Sequence, residues 1–172
     1  IMAYWNAPLD VENHADKALR ASLRQLHHLR KLNEVLRANP DFVNVSNMAD
    51  KNGVPIVDIG IGLNTGLAIV GEMGSKKRSD YTVIGDTINL GSRLESLCKF
   101  YNSRLNISNF TKSQLKGKYI FRFLDLVTVK GKSEPIEVWQ VHDFDDDEGE
   151  PLFYSNKQEL LEELEAYHKA IE

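Results

Sequence analysis

Hydrophobic side chains recur every three or four positions between residues 15 and 36, which is the spacing of one face of an α-helix. This pattern predicts a long helix that ends before Pro40, because proline cannot continue a helix interior. The apolar run at residues 1–5 predicts a strand, and the polar stretch at residues 41–53 predicts a loop. The first third of the chain is therefore expected to run strand, helix, loop.

The pattern changes to that of a sheet in the middle of the chain. Residues 56–70 alternate branched side chains with glycines, which predicts a strand whose backbone bends or closely approaches another element. Residues 71–80 carry glycines and charges and predict a hairpin arm. The aromatic and β-branched residues 81–84 predict the strand that pairs back, and Gly85 and Asp86 supply the turn that ends it.

A helix with two distinct faces is predicted after that turn. Asn89 and Arg93 are four residues apart, so their side chains project from one face. The apolar stripe beside them consists of Leu90, Leu94, Leu97, Cys98 and Tyr101. Thr82, on the incoming strand, is expected to point across the turn toward the polar face. These three groups together suit a nucleotide. A guanidinium can donate to phosphate oxygens, an amide can bind a ribose oxygen, and a hydroxyl can hydrogen-bond a base edge.

The remainder of the chain predicts more strands and two further helices. A short strand is expected at residues 105–107, then a helix opened by the capping pattern that starts at Thr111, then strands at residues 121–129 and 136–141. Residues 143–150 predict an acidic linker. The whole pattern is that of an α/β protein.

The tail predicts an amphipathic helix opened by a second capping pattern, which starts at Ser155. Its apolar stripe is formed by Leu160, Leu161, Leu164, Tyr167 and Ile171. Two interpretations of this stripe stay open: docking on its own domain, or contact with a second subunit or a regulatory segment.

Composition narrows the class of protein. The 172 residues, 42% hydrophobic and 27% charged, suffice for one domain with a core, and the longest apolar runs are far shorter than the ~20 residues that a membrane helix needs. The net charge of −4 gives no general basic surface, so no nucleic-acid partner is expected. The single cysteine, Cys98, excludes an internal disulfide framework and fits a cytoplasmic location, where it is expected to pack as a small apolar residue.

Several ordered motifs resemble those of one family. They are residues 1–8 (IMAYWNAP), 60–66 (GIGLNTG), 70–75 (VGEMGS), 80–95 (DYTVIGDTINLGSRLE) and 129–132 (VKGK). In this register the chain is similar to the catalytic domain of class III adenylate and guanylate cyclases, and specifically to the bacterial adenylate cyclase branch that has threonine at the base-reading position. The resemblance covers about residues 1–144 and implies the ferredoxin-like class III cyclase fold, an α+β sandwich, incomplete at its N-terminus. Gly91 stands where alanine is usual in the family.

The resemblance implies a role for each of four residues. Asn89 is expected to orient the ribose and Arg93 to stabilise the transition state, as the catalytic residues. Thr82 is expected to read the adenine ring and Lys130 to bind the terminal phosphates, as the substrate-binding residues. Each of the four, considered alone, has an ordinary structural alternative as a strand, helix-start, surface or hairpin residue. Their joint occurrence at the family's spacing favours the functional interpretation.

The implied reaction is attack of the ATP ribose 3′-hydroxyl on the α-phosphorus, which gives 3′,5′-cyclic AMP and pyrophosphate with two divalent metal ions, Mg²⁺ or Mn²⁺. In the family the metal-binding aspartates lie on a segment that would precede Ile1. The carboxylates Asp58, Asp80 and Asp86 do not match the metal positions, so no metal site is expected within this chain. The chain is therefore expected to be an N-terminally truncated fragment that is inactive alone.

The resemblance also implies an assembly and a context. Residues 1–144 are expected to be the C-terminal part of a cyclase domain, and residues 145–172 an acidic linker with an amphipathic helix. A head-to-tail homodimer with its active sites between the subunits is expected, with a sensor or regulatory domain upstream. The protein would be cytoplasmic, or the cytoplasmic domain of a membrane-anchored sensor. Two alternatives remain open: a catalytically inactive cyclase-like dimerisation or regulatory module, and a guanylate cyclase.

Overall fold

A computed structural model describes residues 1–75, 78–128, 135–145 and 156–171 of the chain. The helices are α1 (His14–Ala38), a 3₁₀ turn (Pro40–Phe42), α2 (Val43–Asn52), α3 (Asp86–Tyr101), α4 (Asn109–Lys112) and α5 (Lys157–Ile171). The strands are β1 (Ile61–Leu63), β2 (Ile69–Ser75), β3 (Arg78–Ile84), β4 (Leu105–Ser108), β5 (Tyr119–Val127) and β6 (Ile136–Phe144). None of the described helices combines the length and the apolar character needed to cross a membrane.

Four of the strands form one sheet in the order β1-β4-β6-β5. Strands β1 and β4 are parallel, whereas β4–β6 and β5–β6 are antiparallel. Strands β2 and β3 form a separate antiparallel hairpin. The predicted α/β class and sandwich layout are confirmed, because α1 and α3 cover opposite faces of the sheet.

Helix α1 buries its apolar stripe against one face. Its leucines pack in a cluster with residues of β4, β5 and β6, and the buried members are Leu19, Leu23, Leu26, Leu105, Ile107, Tyr119 and Val141. The helix ends at Ala38, two residues before Pro40, as the sequence predicted. At the other end of α1, buried Asp16 accepts hydrogen bonds from the backbone N–H groups of Lys116 and Gly117, both at 2.9 Å, and from the Tyr119 hydroxyl at 2.8 Å.

Helix α3 covers the opposite face of the sheet through Leu90 and Leu94, which pack on Ile136 and Val138 of β6. The helix also lies very close to β1. A Cβ added at Gly62 would overlap the backbone nitrogen of Glu95 and the backbone oxygen of Gly91. The glycine in β1 therefore permits the close packing that the sequence predicted for this segment.

Helix α5 docks on its own domain through part of its apolar stripe, as the first interpretation of the tail predicts, while Leu161 and Ile171 of the stripe stay exposed. Leu160 and Leu164 are buried against Ile120 of β5. The hydroxyl of Tyr167 donates to the backbone oxygen of Phe123 at 2.9 Å, and the backbone N–H of Phe123 donates to Nε2 of His168 at 3.2 Å. Helix α5 thus binds both backbone polar groups of one residue in the edge strand β5.

Three predictions in the first half of the chain are wrong. Residues 1–5 form no strand and pair with no described strand, and Ile1 and Met2 are exposed. Residues 41–53 contain a 3₁₀ turn and α2 instead of a loop, because Asn39 caps the backbone N–H of Asp41 at 3.0 Å and Gly53 ends α2 in the left-handed conformation. Residues 56–70 hold only β1 and the start of β2, because residues 64–68 turn away toward α3.

Two predictions in the second half also need correction. The helix expected from Thr111 begins at Asn109, because Ser108 is the residue whose hydroxyl accepts from a first-turn backbone N–H, that of Thr111, at 3.2 Å. Asp143 is not part of a linker, since it is buried and pairs with Ile120 as part of β6. Phe144 likewise belongs to β6, and the backbone N–H of Asp145 donates to the oxygen of Lys118 at 2.9 Å. Residues 146–150 of the predicted linker and Ser155 lie outside the described residues, and the division at residue 144/145 stays a prediction.

Candidate active site

The β2–β3 hairpin delivers Thr82 to the start of α3. The strands pair in register from Ile69 opposite Ile84, which places Thr82 opposite Gly71. Val83 is buried at 4% exposure, so the half-buried Thr82 lies on the other face of the hairpin. Only the turn at Gly85, with φ +147°, separates β3 from α3. Thr82 therefore lies at the same end of the hairpin and helix as the first turn of α3.

Helix α3 carries Asn89 and Arg93 on its solvent side. Leu90, Leu94 and Cys98 are buried, whereas Asn89 and Arg93 are exposed. A separation of four residues on a helix places their Cβ atoms about 6 Å apart. The Arg93 side chain makes no ion pair or hydrogen bond with any residue in the described parts of the chain. Its guanidinium therefore keeps its donors for a ligand, with a carboxamide one turn away.

A group of polar side chains holds the first turn of α3 against the ends of β1 and β4. Asn64, just after β1, donates from Nδ2 to the backbone oxygen of Thr87 at 2.9 Å and accepts from the Ser108 hydroxyl at 2.5 Å. Thr87 donates from Oγ1 to the backbone oxygen of Leu67 at 2.8 Å. Thr111 is 3.1 Å from Thr65, hydroxyl to hydroxyl. We call Asn64, Thr65, Thr87, Ser108 and Thr111 the polar clasp.

The second half of α3 is fixed by fully buried polar contacts. Asn106 in β4 has no exposed surface, donates to the backbone oxygen of Leu94 at 3.2 Å and accepts from the Ser103 hydroxyl at 2.8 Å. The Cys98 thiol lies 3.4 Å from the backbone oxygen of Ile61, and burial raises its pKa. Cys98 thus packs inside the domain, as predicted, and does not belong to the polar face.

The end of α3 is tied to β5 by another short contact. The Tyr101 hydroxyl donates to Asp125 at 2.6 Å, and burial together with this hydrogen bond raises the pKa of Tyr101 to about 12. Helix α3 is therefore held at its first turn, its middle and its last turn, which fixes the backbone from which the side chains on its exposed face project.

Two parts of the expected active site, Lys130 and the metal ions, are given no position beside Asn89 and Arg93. Lys130 lies outside the described residues. Among the described residues, no group of three or more His, Cys, Asp or Glu side chains is placed to hold a metal ion. Asp58 is instead paired with Arg104 at 3.0 Å, and Asp80 and Asp86 are exposed residues of β3 and the first turn of α3. These carboxylates do not fit a two-metal site.

The polar clasp was not predicted from the sequence. Asn64 directly follows β1, and Ser108 is the last residue of β4. Polar residues at the ends of strands commonly form hydrogen bonds with neighbouring backbone groups. That signal was present in the sequence, but it does not reveal that the two residues meet each other or the helix that bears Arg93.

Comparison with known proteins gives one consistent family. The family profile described as "Adenylate and Guanylate cyclase catalytic domain" matches residues 5–143. The chain is 35% identical over 137 residues to the adenylate cyclase, terminal-differentiation specific, of Dictyostelium discoideum, covering 78% of this chain and 6% of that protein. It is 33% identical over 141 residues to adenylate cyclase 1 of Rhizobium meliloti, covering 82% of this chain and 19% of that protein. The chain therefore spans a small part of the length of these curated relatives.

Solved structures agree with this result. The adenylyl cyclase CyaB from P. aeruginosa is 30% identical with a TM-score of 0.63, over 83% of this chain and 67% of that chain. The guanylyl cyclase Cya2 is 26% identical with a TM-score of 0.61, over 85% of this chain and 66% of that chain. Relatives of both nucleotide specificities therefore share this fold.

Proposed function

From the chain's membership of the class III adenylate and guanylate cyclase catalytic domain family, which the match over residues 5–143 establishes, we propose that it is the part of an adenylate cyclase that binds and orients ATP. The product would be 3′,5′-cyclic AMP, with release of pyrophosphate. Threonine at position 82 and relatives named adenylate cyclase support ATP as the substrate.

One observation carries the proposal: an exposed guanidinium without a partner among the described residues stands one helical turn past an exposed carboxamide. Arg104, by contrast, is paired with Asp58 at 3.0 Å. Arg93 instead projects from a helix that is held at three points. Such a fixed cation is suited to charge that develops during a reaction.

In the proposed reaction the ribose 3′-hydroxyl gives up its proton to solvent, its oxygen forms a bond to the α-phosphorus, and the bond from that phosphorus to the pyrophosphate oxygen breaks. Arg93 would stabilise the negative charge on the phosphorus oxygens, and Asn89 would hold the ribose so that its 3′-oxygen faces the phosphorus. Thr82 would select adenine by a hydrogen bond to the base edge, and Lys130 would bind the terminal phosphates.

The proposal includes two divalent ions, Mg²⁺ or Mn²⁺, bound by residues that are not in this sequence. The proposal gives the described carboxylates no part in holding them, since among the described residues no group of three or more His, Cys, Asp or Glu side chains is placed to hold a metal ion. The residues of this chain are therefore assigned only to binding the nucleotide, orienting it and stabilising its charge.

We also propose that two copies join head to tail, with the active sites between them. Large apolar side chains are exposed at the base of the β2–β3 hairpin, where the paired Ile69 and Ile84 are 67% and 49% exposed on one face and Leu67, two residues before Ile69, is 96% exposed; Tyr81, on the other face, is 52% exposed. A cluster of this kind is typical of a surface that another protein covers. In this arrangement an upstream sensor domain would control activity by moving the subunits, and the catalytic domain would lie in the cytoplasm.

The decisive experiment is to assay the full-length protein that carries this sequence with ATP and with GTP, in Mg²⁺ and in Mn²⁺. Cyclic AMP is the expected main product. Arg93→Ala is expected to lower kcat by about 100- to 1,000-fold, by analogy with the loss of one preorganised oxyanion donor. Lys99→Ala, which removes an exposed cation from the last turn of the same helix, is the matched control and should leave kcat nearly unchanged.

Each alternative function has its own outcome in this assay. Cyclic GMP as the main product would identify a guanylate cyclase and refute the role given to Thr82. No product from either nucleotide, in a folded dimer, would identify an inactive dimerisation or regulatory module. A loss of less than tenfold in Arg93→Ala would remove Arg93 from the mechanism.

A further inference from the structure

We infer that Asn64 is a positioning residue for the proposed reaction: its carboxamide sets the place of the first turn of α3, and through that turn the places of Asn89 and Arg93. The inference deepens the proposed function and rests on it. Asn64 itself would not contact the nucleotide, because both ends of its carboxamide are already bonded within the protein.

The contacts of Asn64 join three elements at one point. Its backbone follows β1, its Nδ2 binds the oxygen of Thr87 in α3, and its Oδ1 accepts from Ser108 at the end of β4. Thr87 lies only two residues before Asn89. A shift of the Thr87 backbone therefore moves Asn89 directly and moves Arg93 through the same rigid helix.

The first turn of α3 depends on these contacts because it lacks the usual means of fixing a helix start. Gly85 stands at the N-cap, so the position offers no side chain to accept from the first backbone N–H groups. Gly91, five residues into the helix, further weakens the first turns relative to alanine. The polar clasp is not a cap, because Asn64 and Thr87 are donors in it; it instead ties the first turn to the sheet, with Asn64 donating to the backbone oxygen of Thr87.

The side chains around Asn64 restrict its movement. The Ser108 hydroxyl that donates to it also lies 3.5 Å from the Thr111 hydroxyl, and both Ser108 and Thr111 are buried. Thr87 is held independently by its own hydrogen bond to Leu67. Asn64 is thus the link that aligns an otherwise intact helix start with β1 and β4, and its loss is expected to shift α3 without unfolding it.

Loss of the Asn64 contacts is expected to affect kcat more than the free energy of unfolding. A displacement of about 1 Å in a catalytic group can cost on the order of 100-fold in rate. Asn64→Asp keeps the acceptor for Ser108 but places a carboxylate oxygen against the oxygen of Thr87, and Asn64→Ala removes both contacts. Both variants are expected to lower kcat at least tenfold, with KM for ATP changed less than threefold.

The matched control is Asn33→Asp. Asn33 is buried, whereas Asn64 is half-buried, but it likewise uses both ends of its carboxamide: it donates to the backbone oxygens of Leu29 at 2.9 Å and Val57 at 2.8 Å and accepts from the Val57 N–H at 2.9 Å. It ties α1 to the segment before β1 and has no contact with α3. The control is expected to lose stability similarly but to keep kcat within threefold of the wild type at a temperature at which both proteins are folded.

The test compares these variants in the full-length protein by steady-state kinetics and by amide hydrogen exchange of the peptide covering residues 86–91. Faster exchange in that peptide together with a selective fall in kcat is the expected result. Unchanged exchange, or a kcat equal to that of the Asn33 control, would overturn the inference. If the wild type forms no cyclic nucleotide, the proposed function and the catalytic role of Asn64 both fail, and the exchange data alone then decide whether Asn64 positions α3.

Discussion

Two glycines that face each other across the β1–α3 contact predict opposite effects for the same substitution. At Gly62 an added Cβ would overlap backbone atoms of Gly91 and Glu95 and would lie 2.9 Å from the carbonyl carbon of Leu94. Backbone atoms of a helix cannot rotate away as the end of a side chain can, so the whole helix would have to move from the sheet. Overpacking of a core costs about 1–3 kcal/mol and sometimes more, and we expect Gly62→Ala to cost at least about 3 kcal/mol.

At Gly91 the added Cβ would meet only the oxygen of Gly62 at 3.9 Å and Cβ of Asn64 at 4.0 Å, which are ordinary van der Waals distances. The residue is helical, so alanine removes the entropic cost of glycine without a clash. Gly91→Ala is therefore expected to raise the free energy of unfolding by up to about 1 kcal/mol. The two variants should differ by about 4 kcal/mol although each adds one methyl group to the same interface.

Urea-induced unfolding, followed by tryptophan fluorescence and circular dichroism, measures both changes against the wild type. The proposed cyclase activity, assayed in the full-length protein, supplies a second readout, because a helix displaced by Gly62→Ala would carry Arg93 with it, whereas Gly91→Ala should leave that activity unchanged. If Gly91→Ala proved as destabilising as Gly62→Ala, the packing distance between β1 and α3 would not be the one described above.

Three further predictions concern parts of the chain away from the active site. For Asp16, burial acts to raise the pKa, but hydrogen bonds from backbone N–H groups outweigh it and the net pKa lies below 3.8. The stabilisation by Asp16 is therefore present above about pH 4 and is lost as the pH falls through the folded-state pKa, so Asp16→Asn should cost about 1–3 kcal/mol at pH 7 and progressively less below pH 4 in urea titrations at each pH. Leu164→Ala should destabilise the docking of α5 by about 2 kcal/mol or more and speed its amide exchange, while the exposed Leu161→Ala stays within about 0.5 kcal/mol of the wild type; equal exchange in the two variants would contradict the packing of α5. Cys98 should react with iodoacetamide only in denaturant, because its thiol is buried at 3% exposure; rapid labelling of the native protein would place it elsewhere.

The sequence correctly predicted elements whose local residue pattern is typical of a helix or a strand. The helix of residues 15–36 and the two-faced helix after Gly85 are present, because each buries much of an apolar stripe that the sequence displays. The hairpin before Gly85 is also present, and its signal was the aromatic and β-branched second strand rather than a buried stripe. The helix α2 was missed although its boundary residues carry signals: Pro40 opens a helical turn after Asn39, and Gly53 ends the helix. Its polar composition outweighed those signals in the prediction.

The site could be predicted only in part, for a different reason. The helical step from Asn89 to Arg93 is a local property, so the sequence gives their common face. The contacts of Asn64 join residues 23 and 44 positions away in the chain, Thr87 and Ser108. No periodicity within one element reports which distant elements meet, so the means by which α3 is fixed emerged only from the structure.

The docking of α5 has a consequence for the solubility of the domain. Strand β5 ends the sheet, and an uncovered edge strand offers its backbone groups to the strand of a neighbouring molecule. Tyr167 and His168 occupy both such groups of Phe123, in the middle of that edge. Helix α5 therefore hinders the pairing of β5 with a strand of another molecule. A variant that stops after β6 is expected to aggregate at concentrations at which the longer chain stays monodisperse.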